Sequence, residues 1–278
     1  MASNAPMTRY RNETIASFEQ HQALLRATVT TEHMLDGNVA TFLVAGSGDA
    51  TPVTRGLDGR IPARNDDLTQ NTCTLVEWHD KPVRTGFNVF ESQGDARRIS
   101  QMSSIGVMNR KIDSDILGSA GLGAATLGDT TAKAASLNWI LGHFKELGEQ
   151  DVDIEQEDKM FCLLTPAAWA VLMQINEFSS GDWVDVKPFS GPARKMWNWA
   201  GINFIRSTRL DNMGSASATC YMYHKDAIGH AIANGHPDLQ GGYNDEDDYF
   251  YTRCTGFFGS KLLQNVGVRK MLHIDTTL

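Results

Sequence analysis

The sequence contains no CxxC pair. Its four cysteines, Cys73, Cys162, Cys220 and Cys254, are scattered far apart. That spacing argues against a zinc ribbon and against a disulfide framework, and it fits isolated thiols in a reducing cytoplasm. Long apolar runs are missing as well. No stretch of ~18 apolar residues occurs, so no membrane span is expected. Residues 1–10 have no apolar core of the secretory type, so no signal peptide is expected there. Positive charge is in deficit: 25 Lys and Arg stand against 33 Asp and Glu, a formal net charge of −8. A protein built to grip nucleic acid needs clustered cations for the phosphates, and that class is disfavoured. The negative balance suits a protein that must stay soluble at high concentration.

Signatures of catalysis are also scarce. No G-x-S-x-G elbow occurs. Gly118, Gly121 and Gly123 follow a helical pattern, where a dinucleotide fingerprint must follow a strand. Gly256 to Lys261 contains Gly-Ser-Lys without the Walker spacing and reads as a turn before a strand. His224, His230 and His236 are six apart, which places no two on one helix face for a metal. Asp245-Glu246-Asp247-Asp248 lacks the glycine and distal Glu of a calcium loop and reads as a solvated turn. The six tryptophans, Trp197 and Trp199 among them, suit a core or a subunit interface. No residue is therefore nominated as catalytic, cofactor-binding or metal-binding. The chain is read as a non-enzyme.

What is present is a globular composition, 41% apolar and 21% charged, sufficient for a real core. Residues 1–38 read as an arm. Ile15, Phe18, Gln22 and Leu25 recur near helical spacing, and so short an amphipathic helix needs a surface, its own body's or a neighbour's. Val39–Val44 and Thr72–Trp78 read as strands. Between them, Ala45–Asn71 is a polar excursion with Gly46, Gly48, Gly56 and Gly59 and the arginines Arg55, Arg60 and Arg64. Long loops of this kind are disordered or functional. Here the sharper reading is a hairpin lying on another subunit, its arginines pairing with carboxylates there.

Gln93–Leu117 reads as one long helix with an apolar stripe at Ile99, Met102, Ile105, Met108, Ile112 and Ile116. Asp113 and Asp115 fall between the stripe positions, and Gly118 is a natural stop. After a small-residue connector, Thr130 or Thr131 is expected to cap a helix running to about Leu147. Met160–Leu164 is a buried strand. Thr165-Pro166 then reads as an N-cap with proline at the first helical position. Strands are expected at Asn203–Ser207 and Cys220–Tyr223, a short helix at Lys225–Ala233, and closing strands at Tyr249–Cys254 and Val266–Ile274. The fold class is α+β.

The order of these elements resembles the Hong Kong 97-like capsid fold of tailed-bacteriophage major capsid proteins. The resemblance is carried by Phe42-Leu-Val-Ala-Gly-Ser-Gly with Thr54-Arg55-Gly56, by Asp113-Ser-Asp-Ile-Leu-Gly118, by Leu163-Leu-Thr-Pro-Ala-Ala-Trp169 and by Trp199-Ala-Gly-Ile202. It covers nearly the whole chain. It implies an N-terminal arm (1–38), an extended loop (39–85), a peripheral domain with a spine helix (86–126), an axial domain (127–236) and closing strands of the peripheral domain (237–278). It implies subunit contacts through the loop (Arg55, Gly56, Gly59, Arg60, Arg64) and through the arm (Ile15, Phe18, Leu25).

The partners it implies are copies of the chain in pentamers and hexamers, a scaffolding protein, a portal protein at one vertex, and decoration or cement proteins. The shell would enclose double-stranded DNA without reading its sequence, and an acidic wall would not hold that DNA too tightly. Assembly would take place in the cytoplasm of a bacterial host, and the product would be a virion. Some relatives cross-link their loops through Lys and Asn. Ala45–Asn71 has no Lys, which disfavours that chemistry here. The chain begins almost at its arm, so a separate scaffolding protein or cleavage of a longer precursor is expected, and the starting Met favours the former. An encapsulin-like nanocompartment and a soluble α/β enzyme are the alternative readings.

Overall fold

The computed structural model describes residues 23–34, 36–46, 51–57, 59–61, 63, 67–86, 96–179 and 196–276. The expected strand at Met160–Leu164 forms as β6, and all five of its residues are buried. It is the middle strand of a five-stranded sheet. Its neighbours are β8 (Ile202–Arg206), parallel, and β9 (Ala218–His224), antiparallel. β7 (Met196–Trp199) flanks β8, and β13 (Val268–His273) flanks β9. A strand enclosed on both faces needs apolar side chains throughout, which is why MFCLL shows no alternation. After it, Thr165 accepts from Ala168 N at 3.2 Å with Pro166 in the first turn, and the helix Pro166–Leu172 begins. The Thr165 hydroxyl also donates to Asp275 Oδ1 at 2.7 Å, tying the helix start to the far end of the chain.

A second sheet is organised by β12 (Tyr249–Leu262), 14 residues long. β10 (Ile228–Ala233) and β11 (Asp238–Asn244) share one of its edges. β4 (Val76–Asp80) and β5 (Val83–Thr85) pair with the other. β1 (Thr30–Met34) runs parallel to β10. The long helix, Ala96–Leu117, packs on β12 and buries Met108, Ile112 and Ile116. β2 (Val39–Gly46) and β3 (Asp67–Thr74) form a separate two-stranded hairpin with eight residue pairs.

Several expectations are corrected. The helix Leu137–Glu149 is capped by Ser136, which accepts from Trp139 N at 3.2 Å, and Thr130 and Thr131 lie outside it. Lys225–Ala233 is a single 3-10 turn, Lys225–Ala227, followed by β10. The first five residues of β10 are buried, so its apolar run satisfies a two-sided sheet as readily as a helix. Gly256–Lys261 lies inside β12 and is no turn. The strand near the end of the chain, β13, pairs with β9 in the sheet around β6, and β10 joins the sheet around β12; position in the chain did not reveal either exchange.

On the long helix, Ser104 and Asp113 are buried while Met102 and Ile105 are 46% and 40% exposed. The apolar stripe therefore does not lie on one buried face. Asp113 is buried because its carboxylate takes two backbone donors, Leu24 N at 3.2 Å and Leu25 N at 3.1 Å. Asp115 accepts from the Ser260 hydroxyl at 2.7 Å. Both satisfy the rule that a polar group leaving water must find a partner.

Candidate assembly surfaces

The β2–β3 hairpin is held at its base by a small apolar cluster of its own. Ala40, Phe42 and Cys73 are buried with Ala231 of β10, and Met34, Leu75 and Leu263 pack around them. Two glycines form the seat. A Cβ on Gly229 would lie 2.9 Å from the Phe42 ring, and one on Gly259 would lie 2.5 Å from the Thr74 carbonyl oxygen. Burial raises the Cys73 thiol to about 11, which leaves it a protonated packing group.

Away from the base the hairpin changes character. Leu43, Val53, Ile61 and Leu68 are 60% exposed or more, and Leu57 is fully exposed. Arg55 and Arg60 are exposed on the same excursion. Gly56 N donates to Arg60 O at 3.1 Å and Gly59 N to Gly56 O at 2.9 Å, so the two glycines shape the turn that spaces these arginines. Gly59 has φ +72°, a left-handed backbone that favours glycine. Arg64 lies outside the described residues. Sequence reasoning picked out the arginines and missed the apolar residues. They are sparse and without period, and only their exposure in a single chain distinguishes them.

The arm residues Ile15 and Phe18 also lie outside the described residues. Leu25 is 1% exposed and part of the main core, so its side chain serves its own subunit and not a neighbour. Its burial follows from the anchoring of its backbone on Asp113.

A Ser–His–Asp grouping exists, with the wrong order for nucleophilic catalysis. His230 Nδ1 lies 3.0 Å from Ser260 Oγ, and Ser260 spends its proton on Asp115. His230 must therefore be the donor to Ser260, where a nucleophile's base would accept. All three groups sit between β10, β12 and the long helix, with His230 fully buried. His224 and His236 are elsewhere: His224 accepts from Asp226 N, and His236 packs tilted against Phe257 with ring centroids 4.3 Å apart. Among the described residues no three metal-ligating side chains converge, and no helix is long and apolar enough to cross a membrane. Asp245–Asp248 forms the turn between β11 and β12.

A family model described as phage capsid protein matches residues 2–274. The chain belongs to that family. Solved structures agree in fold. The chain from Mycobacterium phage Che8 superposes with a TM-score of 0.74 at 13% identity, covering 98% of both chains. The Cyanophage Pam1 capsid gives 0.73 at 11%, covering 100% of this chain and 99% of that one. The capsid of Cyanophage P-SCSP1u gives 0.72 at 12%, covering 98% and 96%. No curated protein matches the sequence. The fold is thus the Hong Kong 97-like capsid fold, and the chain is a bacteriophage major capsid protein, a structural shell subunit.

Proposed function

We propose that the subunit assembles into pentamers and hexamers that tile an icosahedral shell around double-stranded DNA, with the β2–β3 hairpin lying across a neighbouring subunit. The observation that carries this reading is the hairpin itself. It is fixed at its base, and its outer part presents five large apolar side chains that are exposed among the described residues. A monomeric protein rarely leaves such a group exposed on one projecting element. Seated on a neighbour, each would leave water, at about 25 cal/mol per Å² of apolar area removed. Arg55, Arg60 and Arg64 would fix where the hairpin lands by pairing with carboxylates of the neighbour.

Contacts of this head-to-tail kind close into rings, and many weak contacts become jointly strong once a ring or shell is closed. The five-stranded sheet around β6 then forms the part turned toward the ring axis. A scaffolding protein would set the curvature, a portal would replace one pentamer, and decoration proteins would bind the finished surface. Assembly would take place in the cytoplasm of the bacterial host.

The test is expression of the full chain with and without a candidate scaffold, followed by size exclusion and negative-stain electron microscopy. Shells, tubes or rings are expected. A clean monomer in both preparations would overturn the assembly reading.

A further inference from the structure

The helix Leu137–Glu149 carries His143 three residues before Glu146, a spacing at which two helical side chains meet. His143 is 4% exposed, and its two ring nitrogens have different fates. Nε2 lies 2.9 Å from Asp129 Oδ2. Asp129 also accepts from Trp139 Nε1 at 2.9 Å and from Lys133 Nζ at 2.6 Å, so it acts as an ionised acceptor and Nε2 carries the proton. The neutral ring then has a bare lone pair at Nδ1. That atom is buried and has no hydrogen-bond partner among the described residues. It faces the Glu146 carboxylate, whose Oε2 is 3.6 Å away. Two acceptors facing each other cannot satisfy one another. Both residues line a cavity of about 280 Å³ that opens to the surface. Gly142 keeps its wall open, since a Cβ there would meet nothing within 4 Å.

We propose that His143 Nδ1 and Glu146 Oε2 chelate a divalent cation of the zinc class, with Asp129 as the carboxylate that orients the histidine. Imidazole and carboxylate together suit such an ion. The separation decides between ligands. With metal bonds of about 2.1 Å, donors 3.6 Å apart subtend about 120° at the ion, close to the tetrahedral angle that zinc adopts. An ammonium group bonded to both at about 2.9 Å would have to fit them into about 75°, too narrow for its hydrogens. A histidine that ligates through one nitrogen characteristically donates its other N–H to a carboxylate, the part Asp129 plays. Water in the cavity fills the remaining positions, as in open zinc sites. Arg269 Nε lies 3.5 Å from the same Glu146 oxygen and opposes the ion. Its guanidinium is tied to the Val266, Val268 and Glu146 carbonyls, so its position does not depend on that carboxylate. The site is therefore an exchangeable one and not a permanent structural centre. Other histidine–carboxylate pairs lack a free lone pair or the room. His79 Nε2 and Glu77 Oε1 touch at 2.8 Å. His224 Nδ1 already accepts from Asp226 N. His273 and Asp275 repeat the 3.6 Å separation, but both are fully enclosed and Asp275 Oδ1 already accepts from Thr165.

Two measurements on the full-length protein test it, and both need one chain only, so they stand whether or not shells form. Equilibrium dialysis against zinc chloride with elemental analysis counts the ions bound. Glu146 is half-exposed, so Glu146→Gln keeps the fold, and it should bind one zinc fewer per chain than the parent. Glu149→Gln, on the same helix and also half-exposed, removes the same charge away from the site and should bind as the parent does. Asp129→Asn should still take up the ion at saturation, but about tenfold to hundredfold more weakly, the usual loss when an orienting partner goes. Thermal unfolding gives the second reading. An ion that binds only the folded chain raises its Tm, so zinc should raise that of the parent more than that of Glu146→Gln. The same zinc count in parent and Glu146→Gln, an equal loss in Glu149→Gln, or no zinc bound by the parent would each overturn the proposal.

Discussion

The Phe42 ring occupies the space that a side chain at position 229 would need: a Cβ there would lie 2.9 Å from its Cε2 and Cζ atoms. This contact sets how the hairpin leaves the body. Gly229→Ala should push the ring off its seat and cost about 1–3 kcal/mol, the usual range for overpacking. Gly259→Ala should cost more, because its Cβ meets the Thr74 carbonyl at 2.5 Å, and backbone yields less readily than a ring. Phe42→Ala should cost about 3 kcal/mol, the low end for a phenylalanine because its cluster is small. Denaturant unfolding gives the order, and electron microscopy shows whether loosened hairpins still build regular shells. Equal stability of both glycine variants and the parent would discredit the seat.

The exposed part of the hairpin separates two contributions. Charge reversal at Arg55, Arg60 and Arg64 together should impair shell formation while the subunit stays folded. Its effect should shrink as salt rises, since exposed ion pairs are screened over about 8 Å at physiological ionic strength. Val53→Ser/Leu57→Ser/Ile61→Ser should impair assembly at every salt concentration, because apolar burial is not screened. Sedimentation at low and high salt distinguishes them. Normal shells from both triple variants would remove the hairpin from the assembly contact.

His230 gives the shell subunit a pH dependence. Burial, with help from the positive charge of Arg26 and from His33, lowers its pKa to about 4; the Gly259 backbone opposes the shift, and Ser260 and Asp115 complete its polar surroundings. In the unfolded chain a histidine titrates near 6.5. The folded state therefore resists protonation that the unfolded chain accepts. The stability tied to this group is present above about pH 6.5 and is lost as pH falls toward about 4, up to about 3 kcal/mol in all. His230→Gln should flatten that part of the profile. Chemical denaturation at pH 7, 5.5 and 4.5 checks it, and identical slopes in parent and variant would sink the assignment.

What was legible in the sequence was local chemistry. Thr165-Pro166 after an all-apolar run identified β6 and its helix because cap, proline and strand each act within a few residues. The order of elements was enough to suggest the capsid fold. The failures share a cause in tertiary context. β10 reads as helix in the sequence because a run buried in a sheet carries no period. Asp113 and Asp115 read as the polar face of the long helix because their donors, Leu24, Leu25 and Ser260, lie far away in the chain. In the candidate surface, Arg55 and Arg60 stood out as cations in a polar stretch. Leu57 did not, because a lone leucine signals nothing until its neighbours are known to be solvent.

Thr165 joins two distant parts of the chain through one hydroxyl, which accepts from Ala168 N and donates to Asp275. Asp275 in turn accepts from Gly214 N at 2.9 Å with its other oxygen, so the loop before β9, the helix cap and the end of the chain meet at two buried side chains. Thr165→Val keeps the shape and removes both hydrogen bonds. It leaves the first turn of the helix uncapped and a buried carboxylate oxygen without its donor, for about 2–4 kcal/mol together. Thr165→Ser keeps the hydroxyl and should lose about 1 kcal/mol or less, the worth of one buried methyl. Asp275→Asn keeps an oxygen for one donor but not for both, and should fall between them. In a Thr165→Val/Asp275→Asn double variant the losses should not add fully, because the two side chains share one of their bonds. Urea unfolding of the four variants measures this, and strict additivity would show that the hydroxyl and the carboxylate stabilise the sheet independently.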